Sequence, residues 1–552
     1  MASNNAKQAK LLKKISGAIK LQFEPLICSS EVQRTTKDGI RKKYIFVATE
    51  SSFYLLREKM ITGSLKVDKH CPWVALTTFV LVPPNNLQFE FFPKRYAIET
   101  DEAESLEQTL RYYFHEFFNF DDAERFGIEN RAEGISKHHI LAATYLSYCY
   151  HFHQPFHEIL LKELKKIYYQ ISYDDLSIQK ASIKALNYAV KQSKTIEDLS
   201  ISSHNHIDVL KALHVILSEN RSIHVLYIGN CKKYNAFEPF LEALASSGVT
   251  ALAFNQFKFK EYDLVLLLSH SVLFRIICLE FRNCAFDESA FYQLVSNGYL
   301  FGSLRELHFS RSPVLKSIPD GFAEFIISHE LDCVSFDKMQ LEVTQILSML
   351  KDTQKLTTIS LAGNIANGNF GIPMSTSLIN INLSGCTWQL TTLQQFLTQQ
   401  TFNRGTCVEL SRLKIEEPIH DLFMAIDRTI LRPDPSFAAI AWCHNPIDPV
   451  FLRYLANLNG LTSIDLSHCT FDIEHRSEIL NGLLSLIQFR NIRRFALVGS
   501  KNNTYEYLIR EMLPVIATTS KLEDLNISGN YMRDEGYELI ARFIEKSSTI
   551  QS

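Results

Sequence analysis

Residues 522–546 read LEDLNISGNYMRDEGYELIARFIEK. The first nine follow L-x-x-L-x-I-x-x-N. Leu525 and Ile527 alternate with polar residues, as in a short strand with one buried face, and Asn530 closes the segment. The next stretch, DEGYELIARFIEK (534–546), spaces its apolar residues three and four apart, as an amphipathic helix does. One strand and one helix cannot bury both apolar faces alone, so copies are expected upstream.

The rhythm recurs as Ile223-x-x-Leu226-x-Ile228-x-x-Cys231 and as Ile276-x-x-Leu279-x-Phe281-x-x-Cys284. Further copies begin at Leu356, Leu378 and Leu461, and weaker ones at Ile196, Val249, Leu304, Leu331, Gly405, Phe437 and Ile492, with a degenerate start at Tyr168. The mean period is about 27 residues, within the range of leucine-rich repeats. That length leaves room for an outer helix in each unit, and each unit buries itself against its neighbours. The ninth slot is where the chain leaves the strand. Asn or Cys there can bond the backbone of the bend, and successive copies form a ladder. This reading absorbs Cys231, Cys284, Cys386 and Cys469, so no metal site is expected from them. A step of 28 from Leu522 reaches Ile550, where a further strand is expected to begin and the chain breaks off inside it.

Composition fits a folded protein: 46% hydrophobic and 21% charged residues in 552, with a net charge of −3 that gives no reason to expect nucleic acid. No apolar run reaches the roughly 18 residues of a membrane span. The N-terminus lacks the apolar core of a signal peptide, so the eleven cysteines are expected to be reduced. Charge is uneven. Residues 1–70 carry 14 Lys/Arg against 6 Asp/Glu, and residues 71–135 carry 5 against 12.

Residues 14–120 show no repeat. They read as short strands, AIKLQFEPL, RKKYIFVAT, SFYLLRE, SLKVDK, ALTTFVLV, LQFEFF and RYAIET, followed by a helix over 101–118. Seven antiparallel strands closed by a helix resemble a pleckstrin-homology (PH) barrel, although the closing helix offers Tyr112, Tyr113 and Phe114 where such domains carry Trp. The segment QRTTKDGIRKKY is expected to form a basic loop. Lys13, Lys14, Lys20, Arg34, Lys37, Arg41, Lys42 and Lys43 are the candidate lipid contacts. Residues 121–166, with the cluster Cys149, His151, His153 and His157, are expected to link the modules and cap the first repeat rather than hold zinc. No catalytic or nucleotide-binding motif occurs, so neither enzyme activity nor a cofactor is expected.

The fold class expected is therefore multidomain α/β: a PH-like β-barrel with a C-terminal helix (14–120), a linker and cap (121–166), and a ribonuclease-inhibitor-like leucine-rich-repeat α/β solenoid of 13 to 14 repeats (167–552). On the repeat strands, outward positions offer Glu280, Arg282, Arg305, His308, Asp337, Asn382, Glu409, Asp465, Arg494 and Asn526 as candidate partner contacts.

This order of modules resembles the CARMIL family, the linkers of capping protein, Arp and myosin I. The likeness runs through KKYIFVATESSFYLLRE in the barrel and LININLSGC, GTCVELSRLKI, NIRRFALVGSKNN and LEDLNISGNYMRDEGYELIARFI in the repeats. The resemblance implies a cytosolic, non-enzymatic scaffold that binds plasma-membrane lipid without strong headgroup selectivity. It also implies control of actin assembly and cell migration at the leading edge. The family's dimerisation domain and capping-protein-binding tail lie beyond its repeats, and nothing follows Ser552 here, so direct capping-protein binding is not expected. An alternative expectation is a leucine-rich-repeat regulator of a small GTPase. A third is an innate-recognition or ligase-adaptor solenoid.

Overall fold

The computed structural model describes residues 2–35, 39–118, 139–203, 207–231, 236–297, 301–312, 321–370, 374–399, 405–428, 437–458, 460–489, 491–501, 503–517, 521–546 and 550. It divides into two compact units, one of residues 1–252 and 273–275, the other of residues 253–272 and 276–552.

The first unit opens with helix α1 (Ala2–Ala18) and seven strands: β1 (Leu26–Thr35), β2 (Arg41–Thr49), β3 (Ser52–Glu58), β4 (Leu65–Pro72), β5 (Thr78–Val82), β6 (Asn86–Phe91) and β7 (Lys94–Glu99). They form one antiparallel sheet in the order β4-β3-β2-β1-β7-β6-β5, and helix α2 (Ala103–Phe117) packs its buried face on it. Alternation sorts the side chains. Phe46, Phe53 and Phe89 meet in the core, with ring centroids 5.4 Å apart for Phe53 and Phe89. The tryptophan missing from α2 comes from elsewhere. Trp73, in the turn after β4, lies edge-on to Phe114 of α2 at 4.9 Å and donates its indole N–H to the Thr49 carbonyl at 2.7 Å.

AIKLQFEPL, expected as the first strand, is not one; the strand is Leu26–Thr35. Ile15 of α1 and Ile19 just beyond it sit one helical turn apart. They bury against Val47, Tyr54, Leu56 and Leu65, the outward-facing residues of β2, β3 and β4. A sheet face that would otherwise be wet is thus covered by the end of α1 and the residue just after it.

Helix α3 (Ile140–His151) is buried on nearly every side. Its Ala143 joins the sheet core, and Tyr148 packs 5.4 Å from Tyr188 of the helix Ile183–Gln192. The first unit also carries the parallel strands Gln170–Ser172, Asp198–Ser202 and Val225–Gly229. The degenerate start at Tyr168 is therefore followed by a true strand.

In the second unit the strands from Cys278–Arg282 to Asp524–Asn526 pair parallel and in register, each with the next. A helix of seven to fourteen residues follows most of them. Equivalent slots stack. Phe254, Phe281, Phe309 and Phe336, all in the sixth slot, form a column with centroids 5.8, 5.2 and 5.7 Å apart. The ninth slot supplies the ladder. Asn364 donates to the carbonyls of Phe336 (2.6 Å) and Leu361 (2.8 Å) and accepts from the amides of Met339 (3.0 Å) and Leu341 (3.1 Å). Asn445 donates to Leu410 O at 2.6 Å and Asn530 to Leu497 O at 2.8 Å. Cys284, Cys386 and Cys469 direct their thiols to the carbonyls of Phe254 (3.4 Å), Leu361 (3.1 Å) and Trp442 (3.2 Å). Every cross-repeat acceptor is the sixth-slot carbonyl of the preceding repeat. Ile550 is half-buried outside any strand, and its neighbours lie outside the described residues.

Asn364→Ala leaves several buried backbone groups unpaired, at about 1–3 kcal/mol each, whereas Cys386→Ala removes one weak donor. Hydrogen exchange should show a loss of protection of about 3 kcal/mol or more for the first and about 1 kcal/mol for the second, confined to the flanking repeats. Equal losses for the two would contradict the ladder.

Candidate functional site

The first candidate surface is the turn end of the seven-stranded sheet. Antiparallel pairing in the observed order brings the β1–β2, β3–β4 and β6–β7 turns to one end. Each presents an exposed apolar side chain: Ile40 at the first, Met60 and Ile61 at the second (103% and 98% exposed), and Phe92 at the third (85%). Each is flanked by cations: Arg41 and Lys42, Lys59, and Lys94 and Arg95.

The expected basic loop is the end of a hairpin. Arg34 pairs across from Lys42, Gln33 from Lys43 and Thr35 from Arg41. Alternation puts Arg34 and Lys42 on the core side of the sheet and Arg41 and Lys43 on the other. The Arg34 guanidinium rests over the Tyr96 ring at 4.9 Å. Arg41 lies 3.6 Å from the Glu99 carboxylate, and Lys14 is 2.6 Å from that of Glu58, so both are partly neutralised. Lys13, Lys20, Lys42 and Lys43 are exposed, and Lys37 lies outside the described residues. The apolar tips Met60, Ile61 and Phe92 were not picked out from the sequence. The only signals there were the short turns KMITG and FFPKR between apolar runs.

A buried carboxylate ties this sheet to α3. Glu24, 2% exposed, accepts from Thr49 Oγ1 (3.0 Å), Ser51 Oγ (2.8 Å), Tyr54 OH (2.8 Å) and Tyr150 OH of α3. Burial, and then the Glu24 carboxylate, push both phenols up, so they stay protonated donors. His70 stacks on Tyr54 at 4.4 Å and meets Tyr150 edge-on at 4.6 Å. Burial pushes its imidazole below the usual 6.5, with Glu24 pulling the other way. Cys149, His151, His153 and His157 do not converge. The stretch is helical through His151, the Cys149 thiol is buried, and His157 Nδ1 lies 3.1 Å from the Ser177 carbonyl.

The second candidate surface is the strand face of the second unit. Glu280, His308, Asn382, Glu409, Asp465 and Asn526 occupy the fifth slot, as expected. Arg282 and Asp337 end their strands, Arg494 begins one, and Arg305 precedes its strand. Four of the ten are engaged in shaping the strand ends. Asp337 accepts from Ser360 Oγ (2.6 Å) and Ala362 N (2.9 Å). Asn382, Asp465 and Asn526 accept from the amide two residues on, at 3.0, 2.9 and 3.1 Å. Arg305 is turned to the carbonyls of Leu304 (3.0 Å) and His329 (3.4 Å). Arg282 forms a two-pronged pair with Glu280, and His308 Nε2 lies 3.5 Å from Glu306 Oε2, which leaves Glu409 and Arg494 as the freest of the set for a partner.

Cys278, Glu306 and Cys333, overlooked from sequence, form a row in the third slot of three adjacent strands. Burial, and then the Glu306 carboxylate, push the thiols up, Cys278 to about 12 and Cys333 to about 11. Among the described residues no helix is long and apolar enough to cross a membrane.

No family model matches the chain, and no curated protein matches it. Among solved structures it is similar to an internalin (InlF) from Listeria monocytogenes, at 16% identity over 67% of this chain and 82% of that one, with a TM-score of 0.29. It is also similar to TLR13 in a TLR13–ssRNA13 complex, at 11% identity over 63% of this chain and 49% of that one, with a TM-score of 0.31. Likenesses this distant say nothing of function, and the repeat architecture rests on the strand pairing described above.

His70 supplies a pH prediction. Its folded pKa lies below its unfolded one, so the stability it contributes is present above the unfolded value near 6.5 and is lost as pH falls through that value towards the folded one. Protection factors of the β3 amides should therefore drop between pH 7.5 and pH 5.5, and His70→Gln should flatten that drop. An unchanged profile would contradict the assignment.

Proposed function

We propose that the chain is a non-enzymatic, membrane-associated scaffold that resembles the CARMIL family. In this reading the seven-stranded unit is a PH-like domain that holds an anionic phospholipid surface at its turn end. The repeats then regulate actin filament assembly and cell migration through proteins bound on their strand face. Its place is the cytoplasm, peripheral at the plasma membrane, in actin-rich structures.

One observation carries the membrane half. Three turns at the same end of one sheet each expose an apolar side chain next to Lys or Arg. Met60, Ile61 and Phe92 are of the kind that gain about 1.5–3 kcal/mol each on full transfer from water. Each cation near an anionic leaflet adds about 1 kcal/mol. Water does not reward such an arrangement; a headgroup layer over acyl chains rewards both parts. The actin half is supported by the resemblance and by a strand face of mixed sign, suited to a protein partner rather than to a single charged ligand.

Pelleting with phosphatidylserine-containing and pure phosphatidylcholine vesicles tests the membrane half. Binding should need the anionic lipid and weaken with salt. Replacing Lys42, Lys43, Lys59 and Lys94 by Glu should lower partitioning at least about tenfold. Met60→Ser/Ile61→Ser/Phe92→Ser should lower it while keeping the salt dependence. Unchanged binding of both variants would overturn the reading. For the actin half, immobilised chain should recover actin-assembly proteins from cells, and less of them after Glu409→Lys/Arg494→Glu; recovery of none would contradict it.

A further inference from the structure

Cys278 and Glu306 are direct neighbours on adjacent parallel strands, and His308 lies two residues beyond Glu306, so all three project from the same face. The Cys278 Sγ, a Glu306 carboxylate oxygen and a His308 ring nitrogen lie within 4.8 Å of one another, and all three residues are half-buried. His308 Nε2 is 3.5 Å from Glu306 Oε2. The residues between them, Leu279, Phe281, Leu307 and Phe309, point inward at 0% exposure and anchor both strands. The three donors are thus held at a spacing the backbone cannot easily relax.

The surroundings favour a cation. Glu280 sits beside His308 in the fifth slot, and the carboxylates of Asp332 and Asp337 act on the neighbouring Cys333. Arg282 is committed to Glu280 and Arg305 to backbone carbonyls.

We propose that Cys278, Glu306 and His308 bind a divalent transition-metal ion, with Zn²⁺ the best match to the donor set. A thiolate and an imidazole disfavour Mg²⁺ and Ca²⁺, which take oxygen ligands. Donor atoms on one tetrahedral zinc lie roughly 3.3–3.8 Å apart, given bonds of about 2.0–2.3 Å. A group within 4.8 Å reaches that spacing by side-chain rotation of about 1 Å, which Glu and His can supply. Binding displaces the Cys278 thiol proton to solvent, and no electron is transferred. Three protein donors leave the fourth position to water on the open strand face.

Two other thiols serve as internal controls. Cys284 points inward and donates to the Phe254 carbonyl, so it cannot share the ion. Cys333 is in register on the far side of Glu306. At about 4.8 Å per strand its backbone lies about 9.6 Å from that of Cys278, too far for both thiolates to reach one metal.

Titration of the full chain with Co²⁺ tests the site, because a Co²⁺–thiolate bond gives a near-ultraviolet charge-transfer band. One Co²⁺ per chain should produce the band, and Zn²⁺ should bleach it. Cys278→Ser should abolish it and Cys333→Ser should leave it. Glu306→Gln and His308→Ala should each weaken Co²⁺ at least about tenfold while far-ultraviolet dichroism shows an unchanged fold. Absence of the band, or its survival in Cys278→Ser, would overturn the proposal.

Discussion

The repeat fold leans on one backbone group, the sixth-slot carbonyl. Where the chain bends out of its strand, the sixth-slot carbonyl faces inward under the bend and needs a donor. In six repeats the next unit supplies it from the ninth slot, as an Asn amide at Asn364, Asn445 and Asn530 or as a thiol at Cys284, Cys386 and Cys469. A thiol can do this only while protonated. Burial pushes Cys386 to about 11 and Cys284 and Cys469 to about 12, so all three remain donors at neutral pH. The bend has a second requirement. The eighth slot takes a left-handed conformation at Asn230, Gln256, Asn283, Arg311, Lys338, Arg412, His444 and His468 as well as at Gly363, Gly385 and Gly529. A side chain there costs roughly 1–2 kcal/mol, and the ladder on the far side of the bend offsets it. At Gly529 the exchange is not possible, because an added Cβ would lie 2.4 Å from the Gly499 carbonyl oxygen.

This constraint is why the repeats were legible in the sequence. A side chain that must meet a fixed backbone group at a fixed point leaves a residue type at a fixed spacing, as Cys284, Asn364 and Cys469 do. The seven-stranded sheet was harder to read. Ile15 and Ile19 satisfy a helix, while Ile19, Leu21 and Phe23 satisfy an alternating strand, and only the sheet's outer face decides between them. The charges of QRTTKDGIRKKY suggested one loop, but the two-residue period of a hairpin sends Arg34 and Lys42 to one side and Arg41 and Lys43 to the other. Exposure of Met60, Ile61 and Phe92 follows from sheet order, not from their neighbours in the chain. The approach of Cys278 to Glu306 and His308 follows from strand register, which no local pattern records.

The two surfaces draw on different physics. The turn end of the seven-stranded sheet offers apolar tips among cations, the combination on which the proposed membrane contact rests. The strand face offers short polar groups held at fixed spacing by strand register. Within the first unit, Glu24 fastens the sheet to α3 through four hydroxyl donors and no cation. Loss of a single donor there leaves the carboxylate under-solvated.

Quenching by brominated phospholipid tests the central proposal, that the turn end of the seven-stranded sheet enters an anionic membrane. The native tryptophans, Trp73, Trp388 and Trp442, are at most 2% exposed and are shielded from the quencher. A tryptophan in place of Phe92 or Met60 should be quenched on phosphatidylserine-containing vesicles, and one in place of Val82, at the opposite end of the sheet, should not. Equal quenching at the two ends, or none at either, would contradict the account.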